Sequence, residues 1–184
     1  ARDTSREAVD ENFRRAAGVF GTTSDAFVCS DQTHTTNIRR VEKEDAGKGV
    51  TKEKDYRDVD GLITNVPGLI LGTFYADCVP LLFVDPVHHA IGCSHSGWRG
   101  TVGEMGKKTV EAMREAYGSC PEDIFAAIGP SICQDCYEVG KDVAEPFEKL
   151  FSQERYQDVS MKNILTEKVN GKYQLDLWRA NEAI

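Results

Sequence analysis

The chain has 184 residues, 40% of them hydrophobic, which suits one globular domain with a real core and not a disordered polypeptide. The 30 acidic residues outnumber the 22 basic ones and leave a formal charge of −8. That balance argues against a general nucleic-acid or anionic-membrane binder, but not against a small anion held by one or two arginines. No apolar run approaches the roughly 20 residues of a membrane helix, and the opening ARDTSREAV has no signal-peptide pattern.

The six cysteines lie in a chain with too much core to need disulfide staples. Cys29, Cys78 and Cys93 sit in or beside apolar runs, where free cysteine packs as a small hydrophobe. These features point to a reducing, cytoplasmic compartment. The chain has no initiator Met and stops at Ile184 inside an expected helix, so one domain over 1–184 lacking its N- and C-terminal ends is expected.

Thr4-x-x-Glu7 fits a capping box, and Val9, Phe13, Ala16, Ala17 and Phe20 then recur at helical spacing up to Gly21. A strand at 26–30, a polar loop with Gln32 and His34, and a strand near 36–41 follow. The charged stretch 42–58 reads as an exposed loop with solvated charges. From 60 to 95 short apolar runs such as LILGTF, VPLLFVD and AIGCSH predict strand after strand. His88 and His89 fall in the turn VDPVHHA and read as solvated.

An amphipathic helix is predicted over 101–117, with Val102, Met105, Val110, Met113 and Tyr117 on or near one face. DIFAAIG (123–129) reads as a buried strand. A helix at 141–152, strands near 164–168 and 172–175, and a final helix capped by Asp176 complete the chain. Hairpins mixed with crossover helices give an α+β class, or a mixed α/β sandwich with a central sheet and flanking helices.

Three segments carry polar residues that packing does not demand: DQTHT (31–35), YADCVP (75–80) and SHSGWRG (94–100). His34 follows a strand, Cys78 lies between two, and His95 closes an apolar strand before a glycine turn. Singly, each has a plain alternative: a surface histidine, an inert buried thiol, a structural histidine. Together they form a donor set suited to Zn²⁺ or copper, with a fourth position left open as in a catalytic site. A metal there lowers the pKa of a bound water towards ~7. Only the fold can bring residues so far apart in sequence together.

Cys133-x-x-Cys136 lacks the second pair that a structural zinc site wants and the strand–helix setting of a thioredoxin motif. It reads as two unpaired thiols in the loop after Pro130, with a disulfide as the alternative. Arg99 is the anion-binding candidate: Gly97 and Gly100 let the backbone approach a ligand, and the helix starting near 101 adds its positive end. A structural arginine stacked on Trp98 is the alternative. Asp77 could orient His34 or His95, or cap the turn. The amides of GPSIC (129–133) could line a pocket.

The segments QTH (32–34), YADCVPLLFVDP (75–86), HSGWRGTVG (95–103) and IGPSICQDCYEVG (128–140) resemble, in order, the YfiH-like laccase-domain family. The resemblance runs from about Val9 to Trp178. It implies an α/β sandwich, typically monomeric and cytosolic, with a metal, usually zinc, on the positions matching His34, Cys78 and His95. It implies phosphorolysis of adenosine, inosine or methylthioadenosine and deamination of adenosine, so that purine nucleoside and phosphate are the expected partners. The glycine- and asparagine-rich segment that precedes AVDENF in that family is not present here. Nor is the family's C-terminal stretch with further cysteine and arginine residues.

Four functional readings result. The first is a metal-dependent purine nucleoside enzyme with Cys78, His95 and Arg99 in catalytic roles. The second is a copper-dependent, laccase-like polyphenol oxidase, which four histidines supply poorly. The third is a metal-free cysteine amidase acting on a cell-wall precursor, with Cys78 as nucleophile and His95 as base. The fourth, a non-enzymatic binding module, leaves the polar clusters unexplained.

Overall fold

The structure is a computed structural model that describes residues 5–184. Helix α1 spans Arg6–Val19. The expected cap at Thr4 lies outside the described residues; Ser5 is the N-cap, its hydroxyl accepting from Ala8 N at 3.3 Å. Of the expected apolar stripe only Ala17 is fully buried, and Phe13 packs edge-on against Phe27 with ring centres 5.3 Å apart. Ala16 and Phe20 face solvent, so α1 rides on the surface along a narrow seam. Gly21, at φ 65°, ends it as expected.

Seven strands follow: β1 (Phe27–Cys29), β2 (Ile38–Arg40), β3 (Gly61–Thr64), β4 (Ile70–Gly72), β5 (Val79–Asp85), β6 (Ala90–Ser96) and β7 (Phe125–Ile128). Five of them form one sheet in the order β2-β3-β6-β5-β7, parallel only between β2 and β3. β1 and β4 form a separate parallel pair. β5 shows the alternation of a half-buried strand: Val79, Leu81, Phe83 and Asp85 point inward, while Leu82 and Val84 are each 48% exposed.

The helix expected over 101–117 is two helices, α2 (Trp98–Val102) and α3 (Met105–Tyr117). The break is at Glu104, which adopts the left-handed φ of 58°. Its carboxylate is held there by Arg155 Nη2 at 2.8 Å and Tyr156 Oη at 2.5 Å. α3 lies on β6 and buries Met105, Thr109 and Met113.

Beyond it, α4 (Lys141–Phe151) and α5 (Leu177–Ala183) supply Phe147, Leu150, Phe151, Leu177 and Ala180 to the same core. Asp176 caps α5 as expected, accepting from Arg179 N at 2.9 Å. The pattern reading did not find β8 (Glu138–Val139), which joins β9 (Leu165–Glu167) and β10 (Tyr173–Leu175) in a small antiparallel sheet. A two-residue strand carries too little alternation to be read. On the opposite face of the central sheet, Leu62 and Cys93 pack with Val28, Val41, Tyr56 and Val59. The mixed helix-and-strand class expected from the sequence is the class observed.

Two expectations are corrected. β7 is not buried: it is an edge strand, with Phe125 71% exposed, because only β5 pairs with it. The stretch 42–58 is not simply a solvated loop. Val50 and Tyr56 are buried, and the carboxylate of Asp45 is 4% exposed. That carboxylate accepts from Glu42 N at 2.9 Å, Arg39 Nη2 at 2.8 Å and Lys48 Nζ at 2.8 Å.

Burial alone would raise the Asp45 carboxyl. The three hydrogen bonds outweigh burial and lower it to about 2. A carboxyl lowered in the fold stabilises it above its unfolded pKa and loses that contribution as pH falls through the folded value. Asp45 is therefore expected to contribute about 2 kcal/mol near neutrality and to lose it between about pH 4 and pH 2. Urea unfolding of the protein and of Asp45→Asn across that range checks this. The stability gap between the two should close as pH falls, and a gap independent of pH would refute it.

Candidate metal centre

The strand register brings the three polar segments to one end of the central sheet. In the β5–β6 hairpin Pro80 is opposite His95, which sets Cys78 beside the end of β6. On the other side, Asp31 bridges to Val59 and His95 N donates to Asp60 O at 2.8 Å. This carries the loop after β1 to the same place. His34, Cys78 and His95 thus converge, each offering one ligand atom, and those atoms lie within 4.8 Å of one another.

One carboxylate organises this arrangement, and it is Asp60; of the two roles open to Asp77, orienting a histidine falls to Asp60 instead. Asp60 is fully buried. Its Oδ2 accepts from Thr33 N at 3.2 Å, Thr35 N at 2.8 Å and Thr35 Oγ1 at 2.8 Å. Its Oδ1 accepts from His34 N at 3.1 Å and from His95 Nδ1 at 2.8 Å. The three successive amides wrap the loop around the carboxylate, and His34 adopts φ 66° within it, a region non-glycine residues rarely enter. Burial would raise the Asp60 carboxyl, but the hydrogen bonds from His95, Thr35 and Thr33 prevail and hold it below its ordinary value. An ionised Asp60 can only accept, so His95 Nδ1 carries a proton, and Nε2 is the nitrogen left to present a lone pair to a metal.

Gln32 ties the loop to its neighbour. Its side-chain oxygen accepts from Ser30 Oγ at 2.7 Å and Phe74 N at 2.8 Å, and its amide donates to Phe74 O at 2.6 Å. The Tyr75 ring lies 5.8 Å from the His95 ring, and its hydroxyl donates to Ser94 O at 3.2 Å. Gly97 leaves the room the sulfur needs. A Cβ there would sit 2.8 Å from Cys78 Sγ and 3.2 Å from His34 Cδ2.

The donors suit a metal. Zn–S of about 2.3 Å and Zn–N of about 2.0–2.1 Å put two ligands of one tetrahedral ion about 3.6 Å apart. Cys78 Sγ and His34 Nε2 are 3.9 Å apart. Burial, and then the charges of Asp77 and Asp60, raise the Cys78 thiol above its ordinary value. The sulfur is therefore protonated at neutral pH until a cation offsets those charges.

The other candidates fare differently. Arg99 is exposed in the first turn of the five-residue α2, not before a long helix, because the break at Glu104 separates it from α3. Its guanidinium stacks on the Trp98 ring at 4.3 Å, and among the described residues it has no carboxylate partner. Asp77 is exposed, and its carbonyl accepts from Ile132 N at 3.1 Å. Gly129 N donates to Pro80 O at 2.8 Å, so two amides of the GPSIC turn are spent on the Cys78 segment.

Tyr137, which sequence reasoning passed over, is half-buried and borders this region. Burial raises its phenol, the charges of Cys78 and Asp77 raise it further, and Arg99 lowers it. His88 is not simply solvated: its Nδ1 pairs with the buried Asp85 carboxylate at 2.8 Å. All six cysteines are free.

The purine nucleoside phosphorylase YlmD of Bacillus subtilis (strain 168) is 37% identical over 177 residues, covering 96% of this chain and 61% of that protein. The adenosine deaminase RL5 of an unknown prokaryotic organism is 38% identical, covering 89% and 60%. The crystal structure of Bacillus licheniformis hypothetical protein YfiH superposes with a TM-score of 0.87 at 31% identity, covering 97% of this chain and 65% of that one. The chain spans about three fifths of the length of the curated relatives it matches. The family model described as multi-copper polyphenol oxidoreductase laccase matches residues 1–184, and the chain belongs to that family.

Proposed function

We propose that His34, Cys78 and His95 hold a single zinc ion and that the site acts on purine nucleosides, by phosphorolysis and by deamination of adenosine. The observation that carries this is the convergence of two imidazoles and one sulfur, with the buried Asp60 fixing which nitrogen of His95 is free. The names of the curated relatives support the substrate class. Bound zinc supplies Lewis acidity and an acidified water. The chain's own residues do the rest. Asp60 holds His95 in one tautomer, Gln32 ties the His34 loop to Phe74, Gly97 leaves room for the Cys78 sulfur, and Arg99, without a carboxylate partner among the described residues, binds phosphate.

A multicopper centre fits less well. His88 and His89 lie in the β5–β6 turn, at the end of a seven-residue hairpin opposite Cys78. That is roughly 20 Å away at about 3.3 Å per residue, so of the four histidines in these 184 residues only His34 and His95 reach the site. The metal-free cysteine reading needs a readily formed thiolate, and Cys78 is shifted the other way.

The test is metal content after purification without added metal, followed by assays of adenosine and inosine with and without phosphate, before and after chelation. Near-stoichiometric zinc is expected, with turnover lost on chelation and in Cys78→Ser. Arg99→Ala is expected to raise KM for phosphate while leaving deamination unchanged. Turnover that survives chelation but stops in Cys78→Ser would move the assignment to a cysteine hydrolase. No nucleoside turnover at all, or phenol oxidation only after copper loading, would overturn it.

A further inference from the structure

Cys133 is the N-cap and Cys136 the last residue of the 3-10 turn Gln134–Cys136, closed by Cys136 N donating to Cys133 O at 3.1 Å. Such a turn brings its first and fourth Cα atoms within about 7 Å, and a disulfide spans about 4.4–6.8 Å. Both sides of the turn are pinned. Ile132 N donates to Asp77 O at 3.1 Å, Leu175 N to Tyr137 O at 3.1 Å, and Gln174 Nε2 to Asp135 O at 2.6 Å. Cys136 is exposed and Cys133 half-buried, so one sulfur can be reached from solvent and the other lies behind it. The neighbouring Cys133 thiol raises the Cys136 thiol above its ordinary value, so exchange is expected to quicken as pH rises.

We propose that Cys133 and Cys136 are a thiol–disulfide exchange site that takes low-molecular-weight disulfides and closes reversibly into an intramolecular bridge. Cys136 loses its proton and its sulfur attacks one sulfur of the small disulfide. That S–S bond breaks, and the departing thiolate takes up a proton. Cys133 then loses its proton and attacks the Cys136 sulfur, expelling the second half as a thiol. The two protein thiols are oxidised to one disulfide, and one small disulfide is reduced to two thiols. The pinned turn favours the second step, since the entropy of bringing the sulfurs together is already spent. The bridge forms one residue before Tyr137, whose phenol is shifted by the charges of Cys78 and Arg99. The proposal does not depend on the metal or substrate assigned above.

The probe is oxidised glutathione, applied to the folded protein, followed by alkylation and peptide mapping. The expected product has Cys133 and Cys136 joined, with the loss of two hydrogens, and dithiothreitol restores both thiols. In Cys133→Ser the mixed glutathione disulfide on Cys136 is expected to persist, because nothing resolves it. Cys120, whose thiol donates to Glu122, is the internal control and keeps any adduct it acquires. The idea fails if both thiols of the unaltered protein stay alkylatable in excess oxidised glutathione. It fails equally if Cys136 keeps its mixed adduct with Cys133 intact.

Discussion

Asp60→Ala is expected to destabilise the protein by about 3–5 kcal/mol, the usual cost of removing one partner from a buried charged network. The mutation strips the acceptor from five donors at once: three successive amides, the Thr35 hydroxyl and the His95 ring. Urea unfolding measures it. Asp60→Asn separates bracing from tautomer control. An amide keeps one acceptor oxygen and presents an NH₂ on its other side.

If the oxygen stays with Thr33 and Thr35, the NH₂ faces His95 Nδ1 and forces the ring proton onto Nε2. The lone pair that a metal needs is then lost. Loss of such a supporting hydrogen bond is expected to weaken metal binding about 10–100-fold. Competition against a chromophoric chelator, with zinc and with cobalt, reads that affinity. Undiminished binding in a folded Asp60→Asn protein would show that the carboxylate only braces the loop.

The three ligand candidates were legible because each is a soft or borderline donor placed where packing asks for none. His95 sits at a strand end before a glycine, Cys78 between two apolar runs, and His34 in a polar loop. Their convergence was not legible, since it is set by the register of β5 on β6 and by the bridge from Asp31 to Val59. Asp60 escaped notice for a related reason. It is one of several acids in DYRDVDG, and nothing local distinguishes the carboxylate that becomes fully buried from Asp55 or Asp58, which stay out.

Asp77, next to Cys78 in sequence, was a candidate for a role that belongs to the residue just before β3. β7 misled in the opposite direction: FAAI is as apolar as a core strand, and its edge position follows from sheet order alone. The break before α3 was hidden because Glu104 is an ordinary helix former that Arg155 and Tyr156, far along the chain, hold in a left-handed turn.

Gly97→Ala isolates the metal geometry from the fold. The backbone at Gly97 has φ −73° and ψ −178°, which alanine adopts freely, so no conformational strain is introduced. The added methyl group instead meets Cys78 Sγ at 2.8 Å and His34 Cδ2 at 3.2 Å. The first distance is shorter than real carbon contacts allow, so the sulfur must shift from its present place. Overpacking of this size costs about 1–3 kcal/mol, small enough to leave the protein folded.

Sulfur is the one anionic donor of the set, and a tetrahedral ion tolerates deviations in ligand distance of only about 0.2 Å. The substitution is therefore expected to abolish measurable metal retention through desalting while thermal unfolding stays cooperative. Metal analysis and calorimetry on the same preparation give both readings. Full metal content in the variant would mean that Cys78 has room to turn without leaving the site, and that the sulfur is not confined by the backbone at Gly97.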